Sequence, residues 1–261
     1  NSFAAAIPIT SVAIGLGSVE LESNTAYLFN MGSRDQWRKL NGGGITGVAA
    51  GQYQAVPFNL SGQAGIPDRI LSMHTFMLDV KTPGNVTLQY DKLTKNELNQ
   101  STTVAWKSVT PESSIIELPH IVMDVIGNES ADRVWLFEHA NATTGFDNGW
   151  DGYKIKEGDL IQTYVSGSDQ SDYQIATLSD INGAIIGVKS EPDENFEINL
   201  SVTSDLEGRN LYLHDLVTGN NYPILNNAEY VIAGTNASST NRFKVMASSS
   251  GSILKNTESS L

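Results

Sequence analysis

Apolar and polar residues alternate with period two in short blocks along the chain. Residues 27–29, 52–56, 75–80, 86–90, 133–137, 161–165, 184–188 and 196–202 carry this pattern and are predicted to be strands. Residues 209–215 and 222–225 flank Thr218-Gly-Asn-Asn221, whose residue types tolerate left-handed backbone, so this stretch predicts a hairpin. Residues 230–233 and 242–246 close the series. No segment carries a sustained helical stripe with caps; the best helical candidate is short, around Lys92 to Asn99. Strands spaced roughly 8–12 residues apart, with Gly, Asn and Pro between them, indicate sandwiches or jelly rolls. The expected fold is all-β, with two antiparallel, jelly-roll-like β-sandwich domains. The polar, Ser- and Thr-rich stretch from Lys95 to Ser114 reads as the linker. It divides the chain into an N-terminal sandwich (1–100), a linker (101–112), a C-terminal sandwich (113–250) and a polar tail (251–261).

Length and composition agree with this division. A chain of 261 residues suits two domains of ordinary size. With 40% hydrophobic and only 17% charged residues, uncharged polar residues fill the difference, as suits an extracellular all-β protein. The net charge of −13 opposes nucleic acid, whose phosphates need Lys and Arg, and opposes an anionic membrane surface. With no cysteine there is no disulfide, no thiolate chemistry and no Cys-ligated zinc. No apolar run approaches the ~20 residues of a membrane helix. No basic-then-apolar signal peptide opens the chain, so any such peptide is expected to have been removed or to lie upstream.

The densest constellation is Asp132-Arg-Val-Trp-Leu-Phe-Glu-His139 followed by Phe146-Asp-Asn-Gly-Trp-Asp-Gly-Tyr-Lys154. The second run joins two aspartates to glycines and aromatics, and it has three readings. Asp147 and Asp151 can satisfy backbone N–H groups of a tight turn, with Gly149 and Gly152 in left-handed conformations and Trp150 and Phe146 plugging a sandwich. Alternatively Asp147, Trp150, Asp151 and Tyr153 form a ligand-binding platform, in which rings stack on sugar C–H faces and carboxylates accept hydroxyl hydrogens. Thirdly, Asp147, Asn148, Asp151 and backbone carbonyls offer oxygen ligands to calcium, although the spacing is not that of an EF-hand.

Catalytic and cofactor signatures do not accompany the loop. His74, His120, His139 and His214 form no zinc-binding pair, and Glu138-His139 reads as an ordinary rim pair. There is no Gly-x-Ser-x-Gly elbow, and neither Gly15-Leu-Gly17 nor Gly42-Gly-Gly44 precedes a helical pattern that would cradle phosphate. No catalytic residue, metal or cofactor is expected. A pair of carboxylates for glycoside cleavage can lie far apart in a chain, so an enzyme acting on polysaccharide stays open as an alternative.

Several segments, in order, carry a family resemblance. They are Asn1-Ser-Phe-Ala-Ala-Ala-Ile7, Tyr27-Leu-Phe-Asn-Met-Gly-Ser33 with Trp37, Gly51-Gln-Tyr-Gln-Ala-Val-Pro57 and Ile70-Leu-Ser-Met-His-Thr-Phe-Met-Leu78. In the second half Arg133 to Phe137, Phe146 to Lys154, Tyr173-Gln-Ile-Ala176, Leu211-Tyr-Leu-His-Asp-Leu216 with Thr218-Gly, and Arg242-Phe-Lys-Val245 continue the order. Together they resemble tandem β-sandwich modules of large surface and secreted proteins of Bacteroidota, including type IX-secreted and gut-symbiont surface proteins. Ser2 and Leu71 stand where those modules carry proline, and no type IX sorting signal is evident. The resemblance implies an extracellular or cell-surface location and flanking domains in a longer chain. It implies a non-catalytic role in adhesion, in contact with glycans or host or cell-surface components, or as a structural spacer. Those modules place a strand before the Asn1 position, so further polypeptide upstream is expected, and with it an edge strand for the first sheet.

Overall fold

The computed structural model describes residues 1–17, 19–32, 47–88, 93, 117–156, 161–191, 193–234 and 241–248. Trp37, Gly42 to Gly44, the linker at 101–112 and the tail at 251–261 lie outside the described residues, as does all of the helical candidate but Leu93. The fold is all-β. The first half supplies β1 (Ile7–Pro8), β2 (Glu20–Phe29), β3 (Tyr53–Pro57), β4 (Arg69–Ile70) and β5 (Phe76–Thr82), with a six-residue helix α1 (Ile9–Ile14) after β1. β2 is the centre of a three-stranded antiparallel sheet, flanked by β3 and β5, while β1 and β4 pair separately. The strand expected at 86–90 is not present over Val86 to Leu88, where Val86 and Thr87 are exposed and Leu88 packs partly buried against the second core; Gln89 and Tyr90 lie outside the described residues.

The second half supplies β6 (His120–Ile126), β7 (Ala131–Glu138), β8 (Gly152–Tyr153), β9 (Gln162–Ser166), β10 (Asp172–Leu178), β11 (Ile185–Lys189) and β12 (Phe196–Val202). A four-residue helix α2 (Ser204–Glu207) precedes β13 (Leu211–Asp215), β14 (Asn221–Pro223), β15 (Glu229–Ile232) and β16 (Phe243–Ala247). These form one 11-stranded sheet in the order β14-β13-β16-β11-β9-β10-β7-β6-β12-β15, with β8 against β10. The sheet curls until its ends nearly meet: the Tyr222 and Tyr230 rings are 5.2 Å apart, and the Tyr230 hydroxyl donates to Pro223 O at 2.6 Å. The predicted β13–β14 hairpin forms as expected. Asp215 accepts from Val217 and Thr218 N–H and from the Thr218 hydroxyl, and Gly219 takes a φ of +75°.

One pairing departs from the antiparallel expectation. β10 pairs with β9 only through Asp172 and Tyr173, then runs parallel to β7 from Ile175 to Leu178. The long connection through β8 and β9 gives the chain the room a parallel crossover needs. The register of β10 also slips between Tyr173 and Ile175, a bulge that turns successive side chains to new faces.

The strands β6, β7 and β10 are buried on both faces. On β7, Val134 and Leu136 join the interior of the curled sheet, while Trp135 and Phe137 join a second core with Leu28, Val56, Leu60 and Ile70 of the first half. The three-stranded sheet therefore covers the outer face of a wall whose inner face lines the large core. Outer-face polar groups are matched locally: Arg133 makes a two-pronged bond to Asp124 at 2.5 and 2.7 Å, and the Trp135 indole donates to Ala64 O at 3.0 Å.

Candidate functional site

The loop from Thr143 to Lys154 sits where the small sheet meets the wall. Its geometry begins with Asp147, whose carbonyl accepts the N–H of Trp150 at 3.0 Å and of Asp151 at 2.9 Å, closing a tight turn with Gly149 at a φ of +83°. The Asp147 carboxylate turns back to Thr143, accepting from its N–H at 2.6 Å and its hydroxyl at 3.2 Å. Asp151 reaches across. Its Oδ2 accepts the Asp147 N–H and its Oδ1 accepts the Thr177 N–H of β10, each at 2.7 Å. Burial pushes the Asp151 carboxyl up to about 7; the carboxylates of Asp147 and Asp169 push the same way, against the two N–H donors.

The same loop bonds the first half of the chain. Asn24 N–H donates to Asn148 Oδ1 at 2.6 Å, Asn59 N–H to Gly149 O at 3.0 Å, and the Thr25 hydroxyl to Asp151 O at 2.9 Å. Beside them Ala55 N–H donates to Gln174 Oε1 at 2.6 Å. Gly152 lies against Ala55 so closely that a Cβ there would stand 2.5 Å from the Ala55 methyl. The loop is thus a clamp between the small sheet and β10.

The aromatics have partners of their own. Trp150 stacks on His139 at 4.7 Å and 18°, half-buried against the second core. Tyr153 stacks on Phe146 at 4.6 Å and 5°, and on Tyr173 at 5.5 Å. The Tyr173 hydroxyl donates to Asp169 at 2.7 Å; burial and this carboxylate raise its pKa. Burial and nearby carboxylates raise that of Tyr153 as well. The four residues singled out in the sequence are therefore brought into one loop. Asp147 and Asp151 are directly bonded, while Trp150 and Tyr153 pack against different aromatic partners. Glu138 and His139 do not pair: Glu138 accepts from Arg209 at 2.6 Å, and His139 holds Trp150. Among the described residues no three His, Asp or Glu side chains converge as metal ligands would.

Sequence reasoning misses three features here. Lys154 closes the loop with a fully buried ion pair, its Nζ 2.7 Å from Asp132 Oδ1 and 2.5 Å from Oδ2, while Asp132 also accepts the Thr163 N–H at 2.7 Å. Thr177 and Gln174 anchor the clamp from β10. Where β10 leaves β9 there is a cavity of about 410 Å³, bounded by Thr144 and Gly145, the ends of β9 and β11, and the 179–184 connection; Asp151 lies at its inner side.

No family model matches the chain, and no solved structure matches it. Over 251 residues it is 38% identical to the minor fimbrium subunit Mfa5 of Porphyromonas gingivalis, a cell-surface protein of the Bacteroidota. The match covers 94% of this chain and 20% of that protein, so the chain spans about a fifth of the length of the curated relative it matches. A fimbrium is an extracellular appendage, and this similarity is consistent with an extracellular or cell-surface location.

Proposed function

We propose that this chain is a non-catalytic β module of a larger fimbrial-type surface protein, serving adhesion through contact with glycans or with host or cell-surface components. The observation that carries the reading is the extended similarity to a fimbrium subunit, which runs through both sheets rather than one motif. The unit division at 101–112 belongs to the same proposal. It is supported by the small sheet being built wholly before residue 83 and the large sheet wholly after residue 119. Contact with ligand by Asp147, Trp150 and Tyr153 would use the outer rim of the clamp loop, where Asn148 is exposed, while Asp151, buried with both oxygens bonded to backbone N–H groups, would hold the loop in shape.

A spacer role is favoured by one observation, the clamp itself, which fixes the two sheets against each other as a rigid presenting element would require. Deleting this segment from the natural full-length protein separates the readings. Adherence of cells to glycan-coated surfaces, counted with surface display checked by antibody, is expected to fall while display persists. Unchanged adherence with normal display refutes the adhesive reading and leaves the spacer.

A further inference from the structure

The cavity where β10 switches partners adjoins the clamp at Asp151 and Thr177, and the rest of its lining takes no part in the clamp's bonding. β9 and β10 stay together only at Asp172 and Tyr173, and the 179–184 connection must return from the end of β10 to the start of β11. The chain therefore encloses a wedge of about 410 Å³, within the size range of small-molecule sites. Its apolar lining comes from Val165, Tyr173, Ala176, Leu178, Ala184 and Ile185; its uncharged polar groups come from Thr144, Asn182 and the Ser166–Asn241 pair, in which the Ser166 hydroxyl donates to Asn241 Oδ1 at 2.8 Å.

The charges at this wedge are already matched. Asp180 Oδ1 accepts from Arg209 Nη2 at 2.8 Å and from the Asn182 N–H at 2.9 Å. Both oxygens of Asp151 accept backbone N–H groups. Among the described residues no Lys, Arg or His lines the wedge, so none of them recognises a phosphate, sulfate or carboxylate there. No unmatched carboxylate calls for a cation. What remains is hydrogen bonding by neutral groups. Asn182 Oδ1 accepts the Ala247 N–H at 2.9 Å, leaving its Nδ2 without a partner among the described residues, and the Thr144 hydroxyl is in the same position. Hydroxyl and amide groups around an apolar lining match a pyranose, which presents hydroxyls at its edge and C–H groups on its face.

We propose that this cavity is a binding site for one or two sugar units of an uncharged glycan. The proposal deepens the adhesive reading and rests on it, but the cavity can be tested on the 261-residue chain itself. Lactose, maltose, cellobiose and N-acetyllactosamine are titrated into the labelled chain and followed by amide NMR shifts. Sialyllactose, a heparin disaccharide and an oligolysine peptide serve as charged controls. At least one neutral disaccharide is expected to shift amides at 144–145, 166–168 and 182–185. Thr144→Trp, which fills the rim, and Asn182→Asp, which keeps the acceptor and removes the donor, are each expected to weaken binding tenfold or more without moving the melting temperature.

No shift at millimolar neutral sugar, preference for a charged control, or binding indifferent to both variants overturns the cavity. If deletion of the segment abolishes adherence while the cavity variants bind sugar like the parent, the cavity proposal fails and the adhesive reading stands. If the variants lose sugar binding but the deletion leaves adherence intact, the adhesive reading fails instead.

Discussion

Gly152 is the tightest point of the clamp, and its replacement tests whether the loop locks the two sheets. A Cβ at Gly152 lies 2.5 Å from Ala55 Cβ, with Pro57 Cγ and Thr25 Cγ2 each at 3.5 Å. Carbon atoms pack best at about 3.5–4.0 Å, so Gly152→Ala requires a separation of about 1 Å. Neither side can yield freely. β8 is held to β10 at Gly152 and Tyr153, Asp151 O holds Thr25, and Ala55 N–H is bonded to Gln174. Overpacking of this kind costs about 1–3 kcal/mol.

Ala55→Gly frees the space at its own cost. Glycine in a strand loses about 0.5–1 kcal/mol, and the missing methyl about 0.8 kcal/mol more. In the double variant the methyl has moved across the contact rather than been added to it, so the overpacking disappears. Urea unfolding should give a coupling energy of at least about 1 kcal/mol between the two changes, outside the ~0.3–0.5 kcal/mol scatter of independent sites. The m value should stay constant, since the surface exposed on unfolding is unchanged. Additive costs, or a Gly152→Ala variant as stable as the parent, would refute the clamp as described.

Three further outcomes follow from the same region. The folded state keeps a proton on Asp151 between its ordinary value of 3.8 and about 7, where the unfolded chain has lost it. Its contribution to stability is therefore full below about pH 4 and lost as pH rises through about 7, by at most ~1.4 kcal/mol per unit; urea midpoints at several pH values should show this slope in the parent and a flatter one in Asp151→Asn, and parallel curves refute it. Lys154→Met strands Asp132 in the core and should cost about 3–5 kcal/mol, much of it recovered by adding Asp132→Asn; chemical denaturation of the two variants checks this. Trp150→Ala removes a half-buried ring stacked on His139 and should cost about 2 kcal/mol in calorimetry, below the roughly 3–5 kcal/mol of fully buried aromatics. An unchanged melting temperature with lost glycan binding would instead make Trp150 a contact residue.

The strands most legible in the sequence are those with one wet face. β12 runs Phe196–Val202 as expected, with buried and partly exposed residues alternating, because its outer face stays polar enough to show the period. β6 is absent from the sequence reading for the opposite reason. His120-Ile-Val-Met-Asp-Val is buried on both faces, so apolar side chains follow one another without alternation and the strand period vanishes. β8 has two residues and no pattern at all. In the loop, the turn chemistry of Asp147, Gly149 and Asp151 follows from residue type, since Asp and Gly satisfy and permit tight backbone locally. Its long-range partners do not: Thr177, Gln174, Asn24 and Asn59 become visible only once β10 and the small sheet are placed.

The cavity was illegible for a deeper version of the same reason. Its lining residues Val165 and Ala184 read as ordinary strand residues, Ala176 falls in no predicted strand, and in an uninterrupted sheet all three would be closed over by the next strand. The opening arises because β10 changes partner between Tyr173 and Ile175, a topological event with no local signature beyond one bulge. The partner change also produces the wall. By running parallel to β7 with Ile175 turned to the outer core, β10 presents Gln174 to Ala55 of the first half and Thr177 to the clamp loop, while Tyr173 and Ala176 stay with the inner core. The strand that anchors the clamp is the strand that opens the cavity. Asp151 touches both, with its carboxylate fixed to the Asp147 and Thr177 N–H groups and the residue itself among those that line the wedge. Whatever enters the wedge therefore meets a surface held in place by the union of the two sheets, so a rigid clamp and a shaped binding site are compatible roles for one loop.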